Sequence, residues 1–369
     1  MKKFIAAVAL IFSGIVCQAH DTITAESDTI KSQRPKERRT KRERKFDYKL
    51  GGWLETRFIY NSYASKSPRE QVLYYYPLAP DYGSDGRDIN KSGRLSFSAF
   101  SSRLSFGINN LKVGGATVGT YIEGDFLGSS DAFNHMLRLR HAYIDIAWKD
   151  NLFRIGQTNH LTSPEKMFPA TVMFNAGVPF ATLNRGPQIR YTHKFKHNIN
   201  LSVAAEYYTS HRAIGPDNAQ MNAAIPDIHA KAEFGDPGKI MGGITAGYKF
   251  LKPRTVDSEG NRTSTVVASF DVNAFLAFTL NDYKFKLWGI YGQNLTPYGI
   301  IGGYGRLLDD SPYGDYRYGN IYGMSAWFDF TTPRYGDFDF GFFAGYQANL
   351  GSRKEIDPET GYYRDCNLQ

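Results

Sequence analysis

Charged side chains in this chain recur at every second residue of stretches that are otherwise apolar or small. Glu123 and Asp125 flank Gly124, Arg138 and Arg140 flank Leu139, and Arg57, Arg103, Arg154, Arg190 and Lys194 sit in stretches of the same texture. A spacing of two puts such groups on one face of a strand. The pattern therefore suits a hydrated, charge-lined surface. A reaction centre would need a nucleophile, a base and an orienting group brought together. The 8 histidines (His20, His135, His141, His160, His193, His197, His211 and His229) are scattered, and no serine lies in a Gly-x-Ser-x-Gly elbow. No enzymatic activity and no cofactor are expected. Asp81, Asp85, Asp88 and Asn90 share one Gly-rich loop but miss the EF-hand spacing, so they read as a solvated turn and no metal is expected. Gly302-Gly303-Tyr304-Gly305 reads as a loop, since no Lys-Ser/Thr follows it to cradle a phosphate.

The elements that position these charges are strands. In Ile199-Asn200-Leu201-Ser202-Val203-Ala204-Ala205-Glu206-Tyr207 the apolar residues fall on odd positions. Val118, Ile122 and Phe126 likewise oppose Tyr121, Glu123 and Asp125, and Phe338, Phe340, Phe342, Ala344 and Tyr346 oppose Asp339, Gly341, Phe343, Gly345 and Gln347. About thirteen such segments are readable. They lie near 50–60, 97–108, 116–126, 137–147, 152–158, 188–195, 199–207, 228–234, 240–250, 264–280, 283–292, 321–330 and 338–347. The connections alternate long and short along the whole series. Soluble sandwiches give no reason for that alternation. An outer-membrane barrel does, because its periplasmic turns are short and its outer loops long. Tyr207, Phe234, Tyr248, Phe250, Tyr283, Phe330 and Tyr346 near strand ends fit interfacial girdles, although aromatic β-propensity alone also accounts for them.

Composition agrees. The 369 residues are 42% hydrophobic and 15% aromatic, with 36 Gly and 2 Cys. The longest apolar run, 4–16, is too short to cross a bilayer as a helix, and the mean hydropathy is -0.42. The fold class expected is all-β, a transmembrane antiparallel β-barrel over 47–369. Lys2 and Lys3 followed by the apolar run and Cys17-Gln18-Ala19 read as an export signal over 1–19, cut after Ala19, with a lipoprotein signal at Cys17 as the rival. Residues 20–46 read as a basic periplasmic arm. Within 31–45, nine Lys and Arg face only Glu37 and Glu43, which accounts for most of the net charge of +8. That run is either a solvated tail or a contact for an anionic cell-envelope polymer or lipid head groups. The remainder is close to neutral, and no nucleic-acid partner is expected.

If the apolar rows face lipid, the opposite rows line a pore. Arg57, Arg103, Arg138, Arg140, Arg154, Arg190 and Lys194 are the cationic pore-lining candidates and Glu123 and Asp125 the anionic ones. In 136–146 the two arginines share parity with Ala142, Ile144 and Ile146, so either a β-bulge lies near His141 or this strand faces a neighbouring subunit. The 159–187 connection carries Met167, Phe168, Phe174 and Phe180 and four prolines. It is read as a constriction loop, with Glu165, Lys166, Phe168, Phe174 and Arg185 as its candidate residues. A loop packed over the rim or against a partner subunit is the alternative. Glu123 and Asp125 with Glu165 and Lys166 would set a field opposite the arginine wall.

Several stretches resemble the DcaP-like trimeric outer-membrane porins. They are Ser102-Arg103-Leu104-Ser105-Phe106, Gly114-Gly115-Ala116 through Glu123-Gly124-Asp125-Phe126, Arg138-Leu139-Arg140-His141-Ala142-Tyr143, Gly156-Gln157-Thr158, Arg185-Gly186-Pro187-Gln188-Ile189-Arg190-Tyr191-Thr192 and Pro226-Asp227-Ile228. The resemblance covers about a third of the chain, 102–234. It implies a sixteen-stranded homotrimeric porin in outer-membrane lipid and lipopolysaccharide, with an inward-folded third loop, passing small and often anionic solutes. The chain departs from that pattern in two places. The basic arm has no heptads, and the polar end Tyr362-Tyr363-Arg364-Asp365-Cys366-Asn367-Leu368-Gln369 has no final aromatic. With about thirteen readable strands, the barrel is expected to be incomplete at its C-terminal end. The expected role is passive diffusion of small hydrophilic solutes, with a non-conducting structural or adhesive barrel as the alternative.

Overall fold

The computed structural model describes residues 46–67, 69–171, 177–208, 215–216, 218–236, 238–308, 316–359 and 362–364. The export signal, the basic arm apart from Phe46, Phe174 and Cys366 lie outside the described residues. The chain forms two compact units, one up to Trp148 and one from Lys149 onward.

The first unit contains β1 (Asp47–Trp53), β2 (Arg57–Asn61), β3 (Ser65–Lys66), β4 (Tyr76–Pro77), β5 (Arg94–Ser98), β6 (Arg103–Val113), β7 (Ala116–Asp125) and β8 (Arg138–Trp148). The strands β1, β6, β7 and β8 pair antiparallel in that order, β2 pairs with β5, and β3 with β4. The segments expected at 50–60 and 97–108 are therefore each broken in two. The Ser102 hydroxyl fastens both breaks together. It accepts from the Glu55 N–H at 3.0 Å and donates to the Ala99 carbonyl at 2.7 Å. Gly114 and Gly115, with φ of 54° and 82°, supply the two left-handed residues that a tight β6–β7 hairpin requires.

The second unit contains β9 (Asn151–Asn159), β10 (Arg185–Phe195), β11 (Ile199–Glu206), a short helix α1 (Ala219–Ala223), β12 (Asp227–Asp236), β13 (Ile240–Leu251), β14 (Val267–Leu280), β15 (Tyr283–Gln293), β16 (Gly302–Arg306), β17 (Tyr318–Thr331), β18 (Gly341–Ser352) and β19 (Tyr362–Arg364). Each strand from β9 to β15 pairs antiparallel with the next. The strand β17 then pairs with β15, β16 and β18, and β16 with β19. Two expectations are corrected here. Residues 302–305 are not a loop but most of β16, whose three glycines and short length hid any alternation. The last long strand starts at Gly341 rather than Phe338, because Tyr335 and Phe338 close a turn before it.

Burial runs opposite to that of a water-soluble sheet. On β11, Ile199, Leu201 and Val203 are 42%, 44% and 51% exposed, while Ser202 and Glu206 between and beyond them are 6% and 2% exposed. On β12, Ile228 and Phe234 are exposed, whereas Asp227, His229 and Glu233 are buried. Water would penalise such an apolar surface, and isolated apolar patches of this extent mark a surface covered by something else. Hydrocarbon removes the penalty. The strand lengths agree, since the long strands run from 8 to 14 residues, around the roughly 9–11 that a tilted transmembrane strand needs.

The polar face of the second unit is not polar throughout. Gly243, Phe275, Trp288, Trp327 and Gly345 stand opposite one another across β13, β14, β15, β17 and β18. The two indoles stack with centroids 6.1 Å apart. Met167, Phe180 and Ala181 from the long connection pack on this row together with Ile290, Ile300, Ile301 and Phe343. Apolar side chains thus occur on the polar face where a loop covers them.

Candidate channel wall and covering loop

The first unit builds a cluster of arginines and carboxylates at the register break of β8. Glu123 stands opposite His141 while Gly124 stands opposite Leu139, so Arg140 is the extra residue of a β-bulge. The bulge turns Arg140 and His141, though adjacent in sequence, both into buried positions. This resolves the parity conflict of 136–146 in favour of a bulge. Asp125 is fully buried and is gripped by Arg138 through two bonds, Nε to Oδ1 at 3.0 Å and Nη2 to Oδ2 at 2.7 Å. Arg140 donates to Asp125 at 3.2 Å and to Glu123 at 2.5 Å. The Tyr121 hydroxyl donates to the other Glu123 oxygen at 2.7 Å. Arg103 lies 3.7 Å from Glu123 and stacks its guanidinium 4.2 Å from the Trp53 ring. Arg57 pairs with Glu55. Glu123 and Asp125 therefore do not face the arginines across a gap, as expected from sequence. They lie among them, because neighbouring strands bring residues of like parity side by side. The cluster holds Arg103, Arg138 and Arg140 against Glu123 and Asp125, an excess of one positive charge.

In the second unit the polar faces of β9 to β13 carry the remaining candidates. Arg190 donates to the Asn159 carbonyl at 2.6 Å and lies 3.9 Å from Glu206. Arg154 stands opposite Arg190 in the β9–β10 register and is half-buried. Arg185 is buried at the start of β10. Lys194 is exposed near the tight turn that follows Phe195, opposite Asn200 on β11.

The connection 160–184 crosses this face. It is closed at its base by the His160 N–H donating to the Asn184 carbonyl at 3.0 Å. Lys166 lies 3.3 Å from Glu233 on β12, and Glu165 accepts from the Asn159 amide at 2.6 Å. The Ala170 N–H donates to Asp329 on β17 at 2.8 Å, and Lys286 on β15 donates to the Phe168 carbonyl at 2.5 Å. Ser325 on β17 donates to the Phe180 carbonyl at 2.8 Å. A Cβ on Gly345 would fall 2.3 Å from the Phe180 ring, so that glycine is what allows the ring to lie against β18. The described residues of the loop therefore lie against the polar face of β12, β15 and β17. Glu165, Lys166 and Phe168 take part; Phe174 lies outside the described residues.

Beneath the start of this loop is a buried polar network that sequence reading missed. His160 Nε2 lies 2.8 Å from Glu206 Oε2, and His229 Nδ1 lies 3.3 Å from the same oxygen. His229 Nε2 lies 3.1 Å from Asp271 Oδ2, which also receives Lys249 Nζ at 2.8 Å and the Tyr298 hydroxyl at 2.9 Å. Burial holds the His160 imidazole below its ordinary pKa against the pull of Glu206, and pushes the Tyr298 phenol well up, with Asp271 adding to the rise. These residues come from 160, 206, 229, 249, 271 and 298, too far apart for any motif. The one usable signal was parity, since His229 shares its row with Lys231 and Glu233.

Comparison with known proteins agrees with this architecture. Residues 81–261 match the model of the DcaP outer membrane protein family. The fold is similar to that of the outer membrane channel DcaP of Acinetobacter baumannii, with a TM-score of 0.60 and 21% identity over 82% of this chain and 79% of that one. A weaker likeness, TM-score 0.38 at 10% identity over 86% of this chain and 99% of that one, links it to the trimer form of OmpT, an outer membrane protein of Vibrio cholerae. Among curated proteins no sequence matches. With its apolar rows exposed, charged rows of the second unit covered by a loop and its central segment matching the family model, the chain is similar to the DcaP outer membrane proteins over 81–261 and has the porin-like antiparallel β-fold of an outer-membrane protein.

Proposed function

We propose that this chain is a passive diffusion channel for small hydrophilic solutes with a preference for anions, that 160–184 narrows its pathway, and that it works as a homotrimer. The observation that carries the reading is the lay of the loop. It spans from Glu233 on β12 to Ser325 and Asp329 on β17 over a charged surface, and leaves the outward rows to lipid. A solute moving along the polar face would pass the loop's edge and the basic residues Arg154, Arg190 and Lys231. Arg57, Arg103, Arg138 and Arg140, with a surplus of one positive charge over Glu55, Glu123 and Asp125, would supply the cationic lining on the first unit. Rings of Lys and Arg favour anions. Glu165, Lys166, Phe168, Phe174 and Arg185 are the residues assigned to the constriction, and Lys194 would lie at the short-turn end. The reading assigns no catalysis to the chain and no solute by name. A non-conducting structural or adhesive barrel is the competing reading.

Single-channel recording of the refolded protein in planar bilayers tests the proposal. Discrete conductance steps with a reversal potential displaced toward the anion in a KCl gradient are expected. A folded protein that gives no steps would overturn it in favour of the non-conducting barrel. Chemical cross-linking in detergent should yield a ladder ending at the trimer.

A further inference from the structure

The network under the covering loop has a geometry that charge pairing alone does not explain. His160 Nε2, Glu206 Oε2 and His229 Nδ1 converge to within 4.8 Å of one another, and all three residues are buried. Both imidazoles lie within ion-pair distance of Glu206, at 2.8 and 3.3 Å, yet none of the three atoms is aimed for a hydrogen bond of good geometry. Burying three polar atoms on pairings so poorly aimed is costly. The remaining atoms of the same side chains are held from behind. His229 Nε2 faces the Asp271 carboxylate at 3.1 and 3.3 Å and the Tyr298 hydroxyl at 3.0 Å. His160 Nδ1 lies 2.8 Å from Thr162 Oγ1, and Glu206 Oε1 accepts from the Leu161 N–H at 3.1 Å.

We propose that His160, Glu206 and His229 bind a divalent transition-metal ion of the zinc class, which fastens the first residue of the covering loop to β11 and β12. Two imidazoles and a carboxylate are a recurrent zinc donor set. Metal bonds of about 2.1 Å in a tetrahedron place neighbouring ligand atoms about 3.4 Å apart; the His229–Glu206 separation of 3.3 Å matches that spacing, and the His160–Glu206 contact of 2.8 Å would open slightly on binding. A ligating histidine characteristically donates its other N–H to a carboxylate or another oxygen. Asp271 fills that role for His229, and Thr162 for His160. The Thr162 N–H, 3.2 Å from His160 Nδ1, favours the opposite tautomer, so metal binding requires a local shift there. In the metal-free state the same groups would pair by proton sharing. This site is independent of whether the channel conducts.

The test uses the full chain without a polyhistidine tag, folded in detergent and stripped with EDTA. Equilibrium dialysis against Zn²⁺ with metal quantified by mass spectrometry, and against Co²⁺ with visible absorption, should give one ion per chain and the d–d bands of an N/O site. His160→Asn should abolish tight binding, and Thr162→Val should weaken it roughly tenfold to a hundredfold. Retention of the heat-modifiable gel shift shows that each variant is folded. A folded parent that takes up no ion at micromolar concentration, or a folded His160→Asn variant that still holds one, would overturn the site.

Discussion

At the scale of single residues, the buried acids govern the local design. Asp125 neutralises two arginines from inside the sheet, and Asp125→Asn would leave Arg138 and Arg140 short of one charge in a dry place. Breaking a buried pair from one side costs about 3–5 kcal/mol, so urea titration in lipid vesicles should show a loss of that order. Arg138→Ala with Arg140→Ala strips the buried Asp125 carboxylate of both its cations, so it should cost stability by the same mechanism; in the protein that still folds, the reversal potential should shift away from anions. A second residue-level effect lies in the loop that carries Tyr63 and Asp88. The Tyr63 hydroxyl donates to Asp88, whose carboxyl is held below its ordinary value by that bond and by the N–H groups of Asp81 and Asn90. The same bond lifts the Tyr63 phenol to about 12. A depressed carboxyl stabilises its loop above the unfolded value of about 3.9 and loses that contribution as pH falls through the lower folded value. Protection factors for the Asp81 and Asn90 amides should therefore be flat at neutral pH and drop on acidification below pH ~4, and Tyr63→Phe should move the drop to higher pH. Parity in the sequence put Glu123 and Asp125 on one face but left Arg138 and Arg140 in conflict with Ala142, Ile144 and Ile146, a conflict that only the bulge removes. It was silent on His160 and Thr162, which belong to a loop and have no period.

At the scale of elements, alternation was a sufficient guide wherever lipid sits on one side and polar groups on the other. The positions of β7, β11, β12, β13 and β15 follow it closely. It failed in two physical circumstances. The strand β16 is short and glycine-rich, so there were no side chains to alternate. The row of Phe275, Trp288 and Trp327 is apolar on the polar face, because a loop rather than solvent covers it. The loop's own apolar residues hinted at such a cover, but not at which strands it would meet. The contact at Gly345 offers a sharp probe of that cover. Gly345→Ala puts a methyl group into the Phe180 ring and must lift the loop from β18. Larger single-channel conductance than the parent is expected, with an unchanged strand content by circular dichroism; an unaltered conductance would place the narrowest point elsewhere.

At the scale of the whole molecule, an outer-membrane address follows from which rows are greasy. Leu201→Arg puts a cation on the lipid-facing side of β11, and a cost of about 2–4 kcal/mol is expected near mid-membrane. Equilibrium unfolding in vesicles would register that loss, whereas a sheet whose outer rows met water would tolerate the change. The overall class was legible because the alternation of long and short connections has no other physical origin. The oligomer and the solute were not, since both depend on surfaces that one chain's periodicity does not encode.

The covering loop is tied down at Glu206, Glu233, Lys286, Ser325 and Asp329, on elements far apart along the chain. No single hinge could swing it aside, because several of these ties would have to let go together. Current through one molecule should accordingly be quiet, with little open-state flicker and no closure driven by moderate voltage.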